Sequence, residues 1–291
     1  MLAHDVNIVL PDLNLAARVW GDPSLPPLLA LHGWLDNAAS FERLAPLLCE
    51  QFHIVALDFP GHGRSDWRAP GAWYHHVDYA GDVLAVADAL GWKRFDLLGH
   101  SLGGGVATAL TAACPQRINR LILIEALGVI ASAPEKALSH LQGALADRAS
   151  YRNKALRVFA NQDAAIAARM QANGLSREAA SLLVTRGLKV VPGGFSWSSD
   201  PRLTLNSAQR FIEDQVLAFL RGLRAPTLLM LAQPEAPYLP RETMERRIAQ
   251  VADIHVLRLP GSHHLHLEDP QPVAEAISDF VRVGSGAPAL P

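Results

Sequence analysis

Sulfur is scarce in this chain, which has two cysteines in 291 residues. Cys49 and Cys114 each fall in a predicted helix and match no metal-ligand spacing, so they read as buried free thiols rather than a disulfide framework. An excess of charge is missing too: 26 Lys and Arg stand against 28 Asp and Glu. That balance lacks the basic footprint of a nucleic-acid binder. No apolar run reaches the length of a membrane span, and Met1-Leu2-Ala3-His4-Asp5 carries no basic region leading into an apolar core. The expectation is a cytoplasmic protein with no membrane span. No glycine loop of the phosphate-binding kind follows the first predicted strand, which argues against a nucleotide cofactor. Internal repeats are absent, and the only low-complexity tract is the tail 284–291, expected to be frayed.

What is present is a large apolar fraction, 49% of residues against 19% charged. A chain of this size buries about three-quarters of its unfolded surface, enough for a sizeable core. Apolar runs alternate with helical patterns, the signature of a mostly parallel sheet with helices on both faces. Eight strands are predicted: Val6–Leu10, Leu15–Trp20, Leu28–Leu31, His53–Leu57, Arg94–Leu98, Arg120–Ile124, Thr227–Leu231 and His255–Leu259. Helices are predicted at Ser40–Glu50, Val77–Leu90, Leu102–Ala113, Ser207–Leu223, Arg241–Val251 and Pro272–Val283. Between residues 126 and 200 the alternation stops. Ala-rich amphipathic stretches at Ala155–Ala160, Ala164–Ala172 and Arg177–Arg186 replace it, too apolar to stay disordered. The predicted organisation is therefore a core of residues 1–125 and 201–283, with a helical cap, 126–200, inserted after the sixth strand.

Four local patterns carry the chemistry. Gly99-His100-Ser101-Leu102-Gly103 lies between a strand and a helix, the context of a nucleophile elbow. At its two outer positions a Cβ would collide with the folded-back chain, which explains the glycines. His32-Gly33-Trp34 follows the third strand, and Asp58-Phe59-Pro60-Gly61-His62-Gly63-Arg64-Ser65 follows the fourth. Near the end comes Gly261-Ser262-His263-His264-Leu265-His266-Leu267-Glu268-Asp269-Pro270. In combination and in chain order these motifs resemble the α/β-hydrolase fold superfamily, in its capped haloalkane-dehalogenase-like or serine hydrolase-like branch with a Ser nucleophile. The resemblance runs from about residue 6 to 283.

Each motif answers a chemical need. Ser101 is a weak nucleophile at its free pKa and must pass its proton to a base. Three histidines compete for that task; the resemblance selects His263, which precedes Glu268 and Pro270 by the family's spacing. His264 and His266 read as supporting residues of the same loop, and His100 as packing beneath the elbow. A tetrahedral intermediate needs two N–H donors aimed at its oxyanion. Leu102, at a helix N-terminus, supplies one, and the resemblance assigns the other to Trp34, whose indole either lines the pocket or packs. Asp58 and the Gly61-His62-Gly63 turn read as structural, and Asp36-Asn37 as a helix cap.

The third catalytic member is ambiguous. Most relatives carry an Asp after the seventh strand, whereas Ala232-Gln233-Pro234-Glu235-Ala236-Pro237 offers only Glu235. The resemblance implies a second location, a Glu that some dehalogenase-like relatives carry at the end of the sixth strand; Glu125 stands there and is favoured, because a half-buried carboxylate closing an apolar strand is costly without a partner. A serine at 101 argues against the carboxylate-nucleophile chemistry of dehalogenases and epoxide hydrolases. Hydrolysis of carboxylic esters with small, uncharged or apolar acyl groups is the expected activity. Thioester, lactone or C–C bond hydrolysis and perhydrolysis are its neighbours, and a non-catalytic ligand-sensing member is the contrasting class. No cofactor, metal or nucleic-acid partner is expected, and the His263–His266 cluster lacks the helical spacing of a metal motif.

Overall fold

A computed structural model describes residues 3–151, 157–236 and 240–284. In chain order its elements are β1 (His4–Val9), β2 (Asn14–Trp20), β3 (Pro27–Leu31), α1 (Ala45–Leu48), β4 (His53–Leu57), α2 (His76–Ala89), β5 (Phe95–His100), α3 (Leu102–Ala113) and β6 (Ile118–Ile124). Then come α4 (Ala137–Ser150), α5 (Gln162–Asn173), α6 (Arg177–Gly187), β7 (Leu188–Val191) and β8 (Gly194–Trp197). The chain closes with α7 (Glu213–Gly222), β9 (Thr227–Gln233), α8 (Arg241–Ile248), β10 (Ile254–Pro260), α9 (Leu265–Glu268) and α10 (Pro270–Gly284). All eight predicted strands form one sheet in the order β1-β2-β4-β3-β5-β6-β9-β10, parallel from β4 to β10, with β1 and β2 paired antiparallel at one edge.

The strand sequences explain this arrangement. Along β3, Leu29 and Leu31 enter one core with Val83, Val106 and Leu110, while Leu28 and Ala30 enter the opposite core with Phe41, Leu48 and Ile277. A strand apolar at every position is stable only where helices cover both faces, which is how a mostly parallel sheet is built. From β3 the chain goes to β4 on one side, then crosses to β5 on the other. The carboxyl ends of β3 and β5 therefore flank a topological switch point, where open α/β sheets form their binding crevice.

Several elements differ from expectation, each for a local reason. The predicted helix at Ser40–Glu50 is a 3₁₀ turn at Ala38–Phe41 followed by the single turn α1. Its partner at Ser207–Leu223 begins only at Glu213, because Gln215 Oε1 accepts the Ile212 N–H (3.0 Å) and caps the chain there. In the predicted helix Ala155–Ala160, residues 155 and 156 lie outside the described residues. Phe159 there forms an isolated bridge to Phe195, exchanging backbone hydrogen bonds of 2.7 and 2.8 Å. The tail 284–291 lies, beyond Gly284, outside the described residues. Between β6 and α7 stand α4, α5, α6 and the β7–β8 hairpin, with a third apolar core of Phe159, Ala165, Leu183, Val184 and neighbours. Leu267, from the segment that follows β10, completes that core. Among the described residues no helix is long and apolar enough to cross a membrane.

Buried histidines give the fold an acid limit. His32 Nδ1 donates to the Gly33 carbonyl (2.7 Å) while Nε2 accepts the Phe59 N–H (3.0 Å), so a second ring proton would break a bond. Burial pushes His32 down to about 4 and His62 and His266 down to about 3. Unfolded histidine titrates at about 6.5, so below that pH the unfolded chain takes up protons that the folded chain refuses. Stability therefore falls as pH drops from about 6.5 toward about 4, by up to roughly 1.4 kcal/mol per pH unit for each such residue. Thermal unfolding should show a clearly lower Tm at pH 5 than at pH 7; an unchanged Tm across that interval contradicts the account.

Candidate active site

Among the described residues three non-glycines adopt left-handed backbone: Leu35 (φ 59°), Ser101 (φ 51°) and Glu125 (φ 55°). Such residues carry strain that the surrounding fold must hold, and they concentrate at functional sites. Here they follow the carboxyl ends of β3, β5 and β6, three adjacent strands. Backbone hydrogen bonds lock two of them in register, Ser101 N–H to the Ile124 carbonyl (3.0 Å) and Glu125 N–H to the Met230 carbonyl (2.9 Å).

The elbow is as tight as its glycines imply. A Cβ at Gly103 would stand 2.2 Å from the Leu31 carbonyl oxygen, and one at Gly99 would stand 2.5 Å from the Gly103 carbonyl oxygen. Gly103 N–H also donates to the His32 carbonyl (3.1 Å), tying the first turn of α3 to the segment after β3. In that segment lie Gly33 and Trp34, so the Trp34 and Leu102 amides belong to two pieces of chain joined beside Ser101. Among the described residues neither amide has a backbone acceptor. The Trp34 indole is 54% exposed and donates from Nε1 to the Leu203 carbonyl (3.0 Å).

Glu125 and His263 meet: His263 Nδ1 stands 3.3 Å from Glu125 Oε2. The other carboxylate oxygen accepts the Ala232 N–H at 2.5 Å, which fixes the plane of a carboxylate only 3% exposed. Glu235 is placed elsewhere, exposed and 3.7 Å from Arg241. Of the two acids legible in the sequence, the fold brings Glu125 and not Glu235 to His263.

His100 bonds to the His263 backbone. Its Nε2 lies 2.8 Å from the His263 carbonyl, and a carbonyl only accepts, so the proton is on Nε2 and Nδ1 carries the lone pair. Burial, reinforced by the neighbouring histidines, holds its pKa well below the ordinary value. His264 and His266 are buried: His264 Nε2 lies 3.1 Å from Asp36 Oδ2, and His266 Nε2 lies 2.8 Å from Ser40 Oγ. Asn37 caps the 3₁₀ turn through the Ala39 N–H, as its sequence position suggests. Asp36 does not cap. It turns inward to His264 and to Arg169 of α5. Burial would raise its pKa, yet the charges of His264 and Arg169 hold it well below the usual carboxylate range. Its partners lie 133 and 228 residues away, so local spacing carries no sign of them.

A mostly parallel eight-stranded sheet with a serine elbow at its switch point is the architecture of the α/β hydrolases. The chain belongs to that family: the pattern of the alpha/beta hydrolase fold matches residues 26–270. A serine hydrolase-like protein of Danio rerio is 32% identical over 289 residues, covering 96% of this chain and 89% of its own. Human serine hydrolase-like protein 2 is 31% identical, with 99% and 97% covered. Among solved structures, a hypothetical protein of Pseudomonas aeruginosa PAO1 superposes with a TM-score of 0.91 at 46% identity, covering 95% of this chain and 99% of its own. The thioesterase domain from the curacin biosynthetic pathway gives 0.84 at 25% identity, covering 96% and 100%. Together these likenesses support a hydrolase.

Backbone atoms flank Gly103, so no side-chain movement relieves an added methyl. Gly103→Ala should cost at least about 2 kcal/mol in urea denaturation. An unchanged midpoint would mean that the elbow is looser than its contacts indicate.

Proposed function

We propose that the protein hydrolyses carboxylic esters with small, uncharged or apolar acyl groups through an acyl-enzyme on Ser101. The observation that carries this reading is the Glu125–His263 pair on the sheet edge where Ser101 interrupts β5 and α3. With Nδ1 turned to Glu125, Nε2 is the nitrogen that takes the Ser101 proton. The serine oxygen attacks the ester carbonyl, and the negative charge that develops is met by the Trp34 and Leu102 N–H groups. Each such donor is worth about 3 kcal/mol of barrier. The imidazolium then gives its proton to the departing alcohol. A water molecule activated by the same nitrogen releases the acid and restores Ser101. Glu125 keeps the ring in its productive tautomer and stabilises the imidazolium. Acyl preference follows from the insert, where Ala and Leu are the commonest of residues 126–195.

Thioester hydrolysis is the second reading, supported by the likeness to the curacin thioesterase domain. An S-acyl-N-acetylcysteamine compared with its oxygen ester at equal acyl length separates the two by kcat/KM.

Hydrolysis of p-nitrophenyl esters tests the assignment. Ser101→Ala should leave less than roughly a thousandth of the wild-type rate without loss of fold, because the change opens no core cavity. Glu125→Gln should cost up to about four decades in kcat, while Glu235→Gln stays within several-fold of wild type. The reverse pattern moves the acid to the segment after β9, and near wild-type rates for both leave a Ser–His dyad.

A further inference from the structure

Asp36 is a buried carboxylate on this edge that the proposed chemistry does not use. It sits between three elements. Its Oδ1 pairs with Arg169 from α5, and its Oδ2 faces His264 Nε2 at 3.1 Å and His100 Nδ1 at 3.8 Å. His264 directly follows His263, and His100 directly precedes Ser101. The segment 263–268 is held on other sides as well. Ser176, the N-cap residue of α6, donates its N–H to Glu268 Oε1 (2.7 Å), Arg43 donates to the Leu267 and Glu268 carbonyls, and the Leu267 side chain completes the core of the insert. A loop bearing the base is thus clamped between the segment after β3 and the insert, and Asp36 reaches from the first clamp both to His264 and to Arg169 of the second.

Asp36, His100 and His264 also offer ligand atoms within 4.8 Å of one another, the spacing of a small metal site. Charge decides against that use. Arg169 already neutralises Asp36, so a divalent cation would leave two uncompensated positive charges in a buried pocket, which is costly. Hydrogen bonding already uses the facing atoms of Asp36 and His264, since His264 donates from Nε2 to Asp36 Oδ2.

We propose that Asp36 is a positioning residue for the base: with Arg169 it fixes His264, and through it His263, so that the seating of α5 in the insert is felt at the catalytic base. The proposal rests on His263 acting as that base. Displacing a reacting group by about 1 Å can cost roughly 100-fold in rate, so loosening this clamp should lower kcat and leave KM little changed.

The test uses the full chain and a short p-nitrophenyl ester. Asp36→Asn and Arg169→Met should each lower kcat about 10- to 100-fold with KM within about threefold, and the double variant should lose less than the product of the two, because they break one interaction. A second pair covers the case in which a half-buried Arg169 left alone prevents folding. His264→Gln keeps an N–H donor for Asp36 and should stay within several-fold of wild type, while His264→Leu should fall with Asp36→Asn. Full kcat in a folded Asp36→Asn or in His264→Leu overturns the proposal, as does equal loss from His264→Gln and His264→Leu. If His263→Ala itself retains activity, the base assignment fails and the positioning role with it; if His263→Ala is dead but Asp36→Asn is not, only the positioning role fails. Added Zn²⁺ should leave Tm unchanged; a Zn²⁺-dependent rise in Tm lost in Asp36→Asn would overturn the proposal in favour of a metal site.

Discussion

The backbone can pass through the left-handed region at Ser101 only because Gly99 and Gly103 present no Cβ to each other or to Leu31. That close approach sets the spacing between β3, β5 and the first turn of α3, and everything around the serine is placed relative to it. It brings the His32 carbonyl onto the Gly103 N–H, which ties the segment after β3 to the first turn of α3. Register does the rest. Because Ser101 bonds to Ile124 and Glu125 to Met230, the left-handed residues of β5 and β6 fall side by side at the same level of the sheet.

A second constraint is electrostatic. This sheet edge buries Asp36, Asp58 and Glu125 together with His32, His62, His100, His264 and His266, and burial pushes the pKa of His32, His62, His100 and His266 below the ordinary value. Asp58 is matched by Arg186 of α6, and Asp36 by Arg169 of α5, so these two buried carboxylates of the segments after β3 and β4 have their counter-ions on the insert. Removing one partner strands a buried charge, which costs far more than the pair contributes. The insert is therefore fastened to the sheet by charge as well as by the apolar contacts of Leu267. His263 is the most accessible of the four clustered histidines, its side chain 23% exposed, which suits a group that must exchange protons with solvent-borne species.

What the sequence disclosed follows the range of the interactions involved. The sheet was legible because buried parallel strands are apolar at every position, and α3 matched at both ends because glycine and proline bracket it. Ser101 and its two glycines were legible because an elbow is a contact between residues two to four apart. Glu125 was half-legible: a charge ending Leu121-Ile122-Leu123-Ile124 demands a partner, though only the fold shows that it faces His263. Asp36 was misread as a cap because its neighbour Asn37 is one, and the partners that distinguish the two lie on α5 and after β10. The α4 helix and the β7–β8 hairpin were missed for a similar reason. α4 exposes Leu138, Leu141 and Leu145 and buries little beyond Ala144, and each hairpin strand has only four residues, too few for a period to show.

The central claim is that one serine, and no other, is made nucleophilic by this arrangement. Incubation of the folded protein with a fluorophosphonate, followed by proteolysis and peptide mass spectrometry, reads that directly. The account predicts a single adduct, on the peptide carrying Ser101, whose formation is strongly slowed in His263→Ala. An adduct on a different serine, or a folded wild-type protein that does not react, would contradict it.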